Sequence, residues 1–200
     1  MSRGLGDVYK RQPGGGGGAA MAGALAAALA SMVANLTIGK EKFADREPEV
    51  KELLEQAEAE RVRLLTLVDE DAAVFNSFMS CYKLPKTTDE EKAARTAAIR
   101  AAAKQAATVP LNIARSSFAV LKLADRLVVA GNPGVITDGA CSGLLARAAL
   151  RCAEYNVRIN LGLTKDEVWN AQAAADLKKL LADAEALETR LLAVTDKALQ

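Results

Sequence analysis

The sequence predicts an all-α fold, a bundle of long antiparallel helices. Half of the 200 residues are hydrophobic but only 4% are aromatic, so the core must be built mainly from Ala, Leu and Val. Ala and Leu, together with the many Glu and Lys residues, favour helix. Apolar residues also recur at intervals of three and four, the spacing of one buried helix face, and no segment alternates convincingly with a period of two. This length favours one domain, or one compact domain that oligomerises.

The N-terminal third of the chain contains two contrasting segments. Residues 1–12, "MSRGLGDVYKRQ", show no helical period, and we interpret them as a non-native or disordered stub that precedes a single helical domain at 13–200. Residues 19–36 carry no charge and are long enough to cross a membrane. Their many Ala and Gly residues, with Ser31 and Asn35 among them, instead favour a buried helix that packs closely against its neighbours. No short basic segment leads directly into it, as it would in a signal peptide.

Five further helices are expected after this one. Pro48 suits the first turn of the second helix, and Thr88–Glu91 and Thr164–Glu167 are capping-box patterns that start two others. Pro110 interrupts the pattern and is expected to separate a third helix from a fourth. The expected ranges are about 48–82, 88–107, 109–130, 137–160 and 164–200.

One apolar stripe of the second helix contains a carboxylate. The stripe steps by four and three through Leu64, Val68, Asp71, Phe75, Phe78 and Tyr82. A carboxyl group removed from water either gains hydrogen-bond or cationic partners, or its pKa rises. A raised pKa is what general acid–base chemistry at neutral pH requires. The alternative is structural: Asp71 could cap a neighbouring helix or pair with an arginine of the bundle.

The composition excludes several classes of function. With 26 basic and 25 acidic residues, the chain has no global attraction for nucleic acid or for an anionic membrane. The absence of histidine excludes Ser–His and Cys–His catalysis and histidine metal sites. The three cysteines lack a C-x-x-C pairing, which predicts neither a disulfide framework nor a zinc site and fits a reducing cytoplasm. We therefore expect no metal and no redox cofactor.

Other residues could serve a ligand or could have a structural role. The run Gly14–Gly18 opens a helix and could bring backbone N–H groups close to an anion or a flat ligand, or could be a flexible entry loop. Asp138 or Thr137 is expected to cap the fifth helix. Three polar residues in "YNVRIN" (Asn156, Arg158 and Asn160) could bind a ligand or satisfy helix carbonyls, and Lys40 could meet an acidic substrate or be solvated.

Several segments together resemble one known family, the cyclodeaminase/cyclohydrolase family. This is the folate-dependent C-terminal part of formimidoyltransferase-cyclodeaminase, which also occurs as a stand-alone bacterial protein. The resemblance covers about residues 13–198. It is carried by "PGGGGGAAMAGALAAALASMVANLTIGK" (13–40), "VDEDAAVFNSFMSCYKLPK" (68–86), "TDEEKAAR" (88–95) and "NVRINL" (156–161).

The resemblance implies an all-α bundle that assembles as homodimers or higher homo-oligomers. It also implies an activity on one-carbon tetrahydrofolates, which are the substrates rather than cofactors. The expected reaction is cyclodeamination of 5-formiminotetrahydrofolate to 5,10-methenyltetrahydrofolate and ammonia; the alternative is hydrolysis of 5,10-methenyltetrahydrofolate to 10-formyltetrahydrofolate. Asp71 matches the family's catalytic acid, the second Asp of D-x-D-A-x-x-F. The same matching implies substrate contacts at Gly14, Gly15, Gly16, Asn35, Lys40, Asp138, Asn156 and Arg158.

The chain also departs from the family pattern. Family members have a helix before the Pro-Gly-Gly-Gly turn, where this chain has residues 1–12, and commonly a Ser where this chain has Gly17. An alternative of another class is a non-catalytic helical scaffold for dimerisation, in which Asp71 is a structural polar contact.

Overall fold

The structure is a computed structural model that describes residues 14–200 and contains five long α-helices. The N-terminal segment that we interpret as a stub lies outside the described residues. No strand occurs within residues 14–200, which confirms the predicted all-α class. The helices are α1 (Gly15–Asn35), α2 (Glu47–Cys81), α3 (Asp89–Ala130), α4 (Ile136–Thr164) and α5 (Glu167–Ala198).

The uncharged helix α1 packs against α2, α3 and α4. Its buried positions are Gly, Ala, Ser and Val, so neighbouring helices approach closely. At Gly23 a Cβ atom would lie 3.0 Å from Ser117 Oγ and 3.1 Å from a Leu64 methyl group. Among the described helices, α1 alone is long and apolar enough to cross a membrane, but 61% of its most apolar window is buried by the other helices. That burial fits the predicted core helix.

Helix α3 corrects one sequence prediction, because the expected third and fourth helices are a single helix of 42 residues. Pro110 has no N–H, so the carbonyl of Ala106, four residues earlier, has no partner within the helix. The side-chain amide of Asn160 in α4 donates to that carbonyl at 2.8 Å. Since the orphaned carbonyl is satisfied by another helix and Pro110 is buried, α3 continues through the proline.

The expected starts of the last two helices were wrong in detail. Helix α4 follows a 3₁₀ turn that Asn132 begins, and neither Thr137 nor Asp138 is its N-cap. Helix α5 is capped by Asp166, while Thr164 is the last residue of α4. The capping box at the start of α3, by contrast, is formed as predicted.

The apolar stripe of α2 is buried over only part of its length. Leu64 and Phe78 are buried, Asp71 is half-buried, and Phe75 and Tyr82 are exposed. The stripe therefore begins in the core and ends in a cleft, and Asp71 lies at the boundary between its buried and exposed parts.

Candidate active site

A cleft of about 500 Å³ lies where the N-terminus of α1 meets α2, α3 and α4. It brings together residues that are far apart in the sequence. Its lining residues are Gly14, Gly15, Gly16, Asp71, Ala72, Val74, Phe75, Asn76, Phe78, Ala106, Asn156 and Asn160. The one ionisable side chain among these is Asp71.

Asp71 is held by the first turn of α1. The N-cap residue of that helix, Gly14, has no side chain to accept a hydrogen bond from the first-turn N–H groups. Asp71 Oδ2, from α2, accepts the N–H of Gly17 at 2.9 Å and supplies the missing cap from another helix. Capping a neighbouring helix was the structural alternative, and it accounts for one carboxylate oxygen. The other, Oδ1, accepts no hydrogen bond from residues 14–200 and lies against Gly16, and Asp71 lines the cleft.

The close approach of Asp71 to α1 requires a glycine at position 16. A Cβ atom there would overlap both carboxylate oxygens and would lie 2.7 Å from Asp71 Cγ. Gly15 has a similar but looser contact, because its Cβ would lie 3.2 Å from Asn156 Nδ2. The glycine run therefore lets two polar side chains reach the backbone of α1, rather than serving only as a flexible loop.

The environment of Asp71 raises its pKa. Burial of the carboxyl disfavours the charged form and is the larger influence, while the hydrogen bond from Gly17 acts in the opposite direction. The net effect is a pKa above the ordinary value of 3.8. A carboxylate shifted this way is a stronger base than a solvated aspartate, which suits it to take up a proton and then return it.

Two asparagines of α4 face Asp71 across the cleft. Asn156 Nδ2 donates to the carbonyl of Cys152 at 2.9 Å, and Asn160 Nδ2 donates to the carbonyls of Ala106 and Asn156, both at 2.8 Å. Neither Oδ1 accepts a hydrogen bond from the residues that the structure describes. The two side-chain oxygens are therefore left as acceptors for a ligand.

Phe75 and Phe78 supply the apolar wall of the cleft. Phe78 is buried and its ring meets that of Tyr82 edge-on, with centroids 5.3 Å apart. Phe75 is 60% exposed, although it lies on the apolar stripe of α2. An exposed aromatic face beside a half-buried carboxyl offers a stacking surface for a flat ring.

Of the predicted site residues, the structure brings together Asp71, Asn156 and the three glycines. The other four do not line this cleft. Asn35 is the last residue of α1, roughly 30 Å from Gly15, and Lys40 lies beyond it. Asp138 is in the first turn of α4, about five turns from Asn156. Arg158 is exposed and pairs with Glu154 at 3.4 Å.

The sequence analysis did not assign a site role to Asn76, Ala106, Phe75 or Phe78. Phe75 and Phe78 lie on the same stripe as Asp71, so their helical spacing could have placed them at the site. Asn160 lies four residues after Asn156, on the same face of one helix, and could have been placed beside it. No sequence signal marks Ala106 as a cleft residue.

The fold and the cleft define a class of protein: an all-helical bundle with a half-buried carboxyl group in a cleft at the N-terminus of α1. Comparison with known proteins narrows the class. The family model for formiminotransferase-cyclodeaminase matches residues 8–179 of this chain. A methenyltetrahydrofolate cyclohydrolase from Methylorubrum extorquens is 44% identical over 90% of this chain and 86% of that protein.

Two further relatives agree with this result. A formimidoyltransferase-cyclodeaminase from Sus scrofa is 33% identical over 86% of this chain, which spans only 32% of that protein's length. The crystal structure of formiminotetrahydrofolate cyclodeaminase from Thermotoga maritima superposes with a TM-score of 0.84 at 29% identity, covering 95% of this chain and 92% of that one. The chain belongs to the formiminotransferase-cyclodeaminase family.

The glycine at position 16 can be tested directly. We expect Gly16→Ala to displace Asp71 from the N–H of Gly17, because the added methyl group occupies the space of the carboxylate. The result should be a lower melting temperature and a loss of enzymatic activity, measured by thermal unfolding and by turnover of the substrate.

Gly18→Ala is the matched control. Gly18 lies in the same helix, and a methyl group added there would meet no atom within 4 Å. Replacing a helical glycine by alanine stabilises by about 0.5–1 kcal/mol. If Gly16→Ala were as stable and as active as Gly18→Ala, the contact between Asp71 and α1 would not matter as described.

Proposed function

We propose that this chain acts on one-carbon tetrahydrofolates at the carbon between N5 and N10, and that its principal reaction is hydrolysis of 5,10-methenyltetrahydrofolate. The observation that carries the proposal is Asp71, which lines the cleft with one oxygen fixed by the N–H of Gly17 and the other without a donor among the described residues. The 44% identity to a cyclohydrolase over 86% of its length supports hydrolysis as the principal reaction. The sequence analysis had put cyclodeamination first.

In the hydrolysis, Asp71 as carboxylate takes a proton from a water molecule as that water attacks the methenyl carbon. The resulting hydroxylated ring opens when its C–N5 bond breaks, and the protonated Asp71 delivers its proton to N5. The hydroxyl group becomes the formyl carbonyl and releases its proton to solvent. One carboxyl thus serves as base and then as acid, and such positioned transfer contributes about 10²–10⁴ in rate.

Cyclodeamination is the second candidate, and the superposition with the Thermotoga maritima cyclodeaminase favours it. In that reaction N10 attacks the carbon of the formimino group in its protonated form, whose nitrogen already carries two hydrogens. Asp71 takes the proton from N10 and delivers it to the departing nitrogen, which leaves as ammonia. In both reactions a proton is taken from the group that attacks one carbon and delivered to the nitrogen that leaves it. A single carboxyl group can therefore serve either reaction.

The remaining cleft residues fit a folate in shape and polarity. The exposed ring of Phe75 can stack on a flat heterocycle, and the two asparagine oxygens can accept hydrogen bonds from its N–H groups. The proposal gives Asn35, Lys40, Asp138 and Arg158 no role in the cleft of this protomer. The cytoplasmic location, and independence from metal, redox cofactor, nucleic acid and membrane, stay predictions.

The reaction can be assigned by offering 5,10-methenyltetrahydrofolate and 5-formiminotetrahydrofolate separately and following the near-ultraviolet absorbance of the methenyl form. We expect the first substrate to be consumed faster than its spontaneous hydrolysis. Asp71→Asn should lower the rate by about 10²-fold or more. It should stay folded, because its amide oxygen can still accept the N–H of Gly17.

The outcomes are distinct. A rise in absorbance and release of ammonia with the second substrate only would make the chain a cyclodeaminase instead. No turnover of either substrate, or an Asp71→Asn variant as active as the wild type, would contradict the enzymatic assignment and favour a helical scaffold.

We further propose that the chain forms a homodimer through the outward faces of α1 and α4. These two helices are in contact, with Ser142 Oγ donating to the carbonyl of Ala26 at 2.7 Å. Each presents exposed apolar side chains to solvent, including Met21 and Leu25 on α1 and Leu144 on α4. The exposed positions on α1 carry no charge from Gly18 to Leu36. A second copy offers the same apolar surface by symmetry.

The dimer is tested by light scattering coupled to size exclusion. We expect the wild type to be dimeric or larger and Leu25→Asp and Leu144→Asp to shift it towards monomer, since each charge would be buried at the interface. Val168→Asp is the control, because Val168 is 84% exposed on α5, which is not part of the proposed interface. A monomeric wild type would refute the proposed interface.

A further inference from the structure

The hydrogen bond that Pro110 removes from α3 is connected to the cleft. Pro110 leaves the carbonyl of Ala106 without its partner in the helix, and Ala106 lines the cleft. The donor that satisfies this carbonyl is Asn160 Nδ2, which is 54 residues away in sequence and also lines the cleft. The carbonyl that Pro110 leaves without a helical partner is therefore the one that Asn160, a cleft residue, satisfies.

The hydrogen bonds of Asn160 fix the orientation of its amide group. An amide nitrogen has two hydrogens, and Asn160 Nδ2 is 2.8 Å from the carbonyls of both Ala106 and Asn156. Both donors are used, so rotation of the amide by 180° would bring its oxygen against two carbonyl oxygens. Oδ1 is consequently held as an acceptor, and no residue within 14–200 donates to it.

We propose that Asn160 is a substrate-positioning residue, held in place by the carbonyl that Pro110 leaves unpaired, whose Oδ1 accepts a hydrogen bond from an N–H group of the substrate's heterocycle. Asn156 Oδ1, one helical turn earlier, presents a second acceptor on the same face of α4. Two neighbouring acceptors favour a ligand edge that donates, such as the aminopyrimidine edge of a reduced pterin. This inference rests on the proposed folate activity.

The structural and the substrate-binding roles of Asn160 can be separated by a double substitution. Asn160→Ala removes both its donors and its acceptor. Pro110→Ala returns an N–H to α3, so that the carbonyl of Ala106 regains a helical partner. In the combined variant the carbonyl is satisfied without Asn160, but the acceptor in the cleft is still missing.

We expect Asn160→Ala to lower the melting temperature and to raise KM about tenfold, the size of one lost hydrogen bond. The value of kcat should change much less, because Asn160 takes no part in proton transfer. The double variant should melt at the same temperature as Pro110→Ala alone, because the carbonyl of Ala106 has a helical partner in both. Its KM should stay raised, because the acceptor of Asn160 is missing. If Asn160→Ala alone does not fold, the double variant carries the KM measurement.

The control is Asn170→Ala. Asn170 Nδ2 also donates to a backbone carbonyl, that of Leu161 at 2.9 Å, but Asn170 does not line the cleft. It should lower the melting temperature and leave KM unchanged. Two results would overturn the proposal: an unchanged KM in Asn160→Ala, or a KM that recovers together with the melting temperature in the double variant. Either would leave Asn160 with only a structural role, as the donor to the carbonyl of Ala106.

Failure of the inference can be told apart from failure of the proposed function. The wild type is first assayed for turnover. If it turns over neither folate, the proposed function fails, and the dissociation constant for tetrahydrofolate replaces KM in the same set of variants. A dissociation constant that Asn160→Ala leaves unchanged, or the absence of any tetrahydrofolate binding by the wild type, overturns the inference as well.

Discussion

The hydrogen bond from the N–H of Gly17 to Asp71 Oδ2 is the constraint on which the site depends. It requires a helix that starts with glycines, because only a residue without a side chain at position 16 leaves space for the carboxylate. It also requires α2 to cross the N-terminus of α1 at the position of Asp71, the half-buried carboxylate of α2. The small residues of α1 make that approach possible, since they let neighbouring helices pack closely around it.

This arrangement joins two roles that the sequence presented as alternatives. Oδ2 caps α1 in place of Gly14, which has no side chain, while Oδ1 accepts no hydrogen bond from the described residues and Asp71 lines the cleft. The cap positions the carboxyl group, and burial raises its pKa. In the proposed function, this structural contact prepares the group for proton transfer at the cleft that Asp71 lines.

Periodicity was enough to predict the helical class, the position of α2 and the anomaly at Asp71, because all three follow from local spacing. The meeting of Asp71 with Gly16 and Asn156 came from family resemblance, since spacing cannot show which helices cross. The continuity of α3 could not be predicted, because local propensity favours a break at Pro110 and the compensating donor, Asn160, lies 54 residues from the carbonyl it satisfies.

The most direct test of the account is a titration of the Asp71 carboxyl carbon by NMR, compared with the dependence of kcat/KM on pH. The carboxylate must be ionised to act as a base, so kcat/KM should rise with pH through the pKa of Asp71 in the free enzyme. The account predicts that this pKa lies above 3.8 and coincides with the acid limb of the activity profile. A pKa at or below 3.8, or an acid limb that does not follow the titration of Asp71, would contradict it.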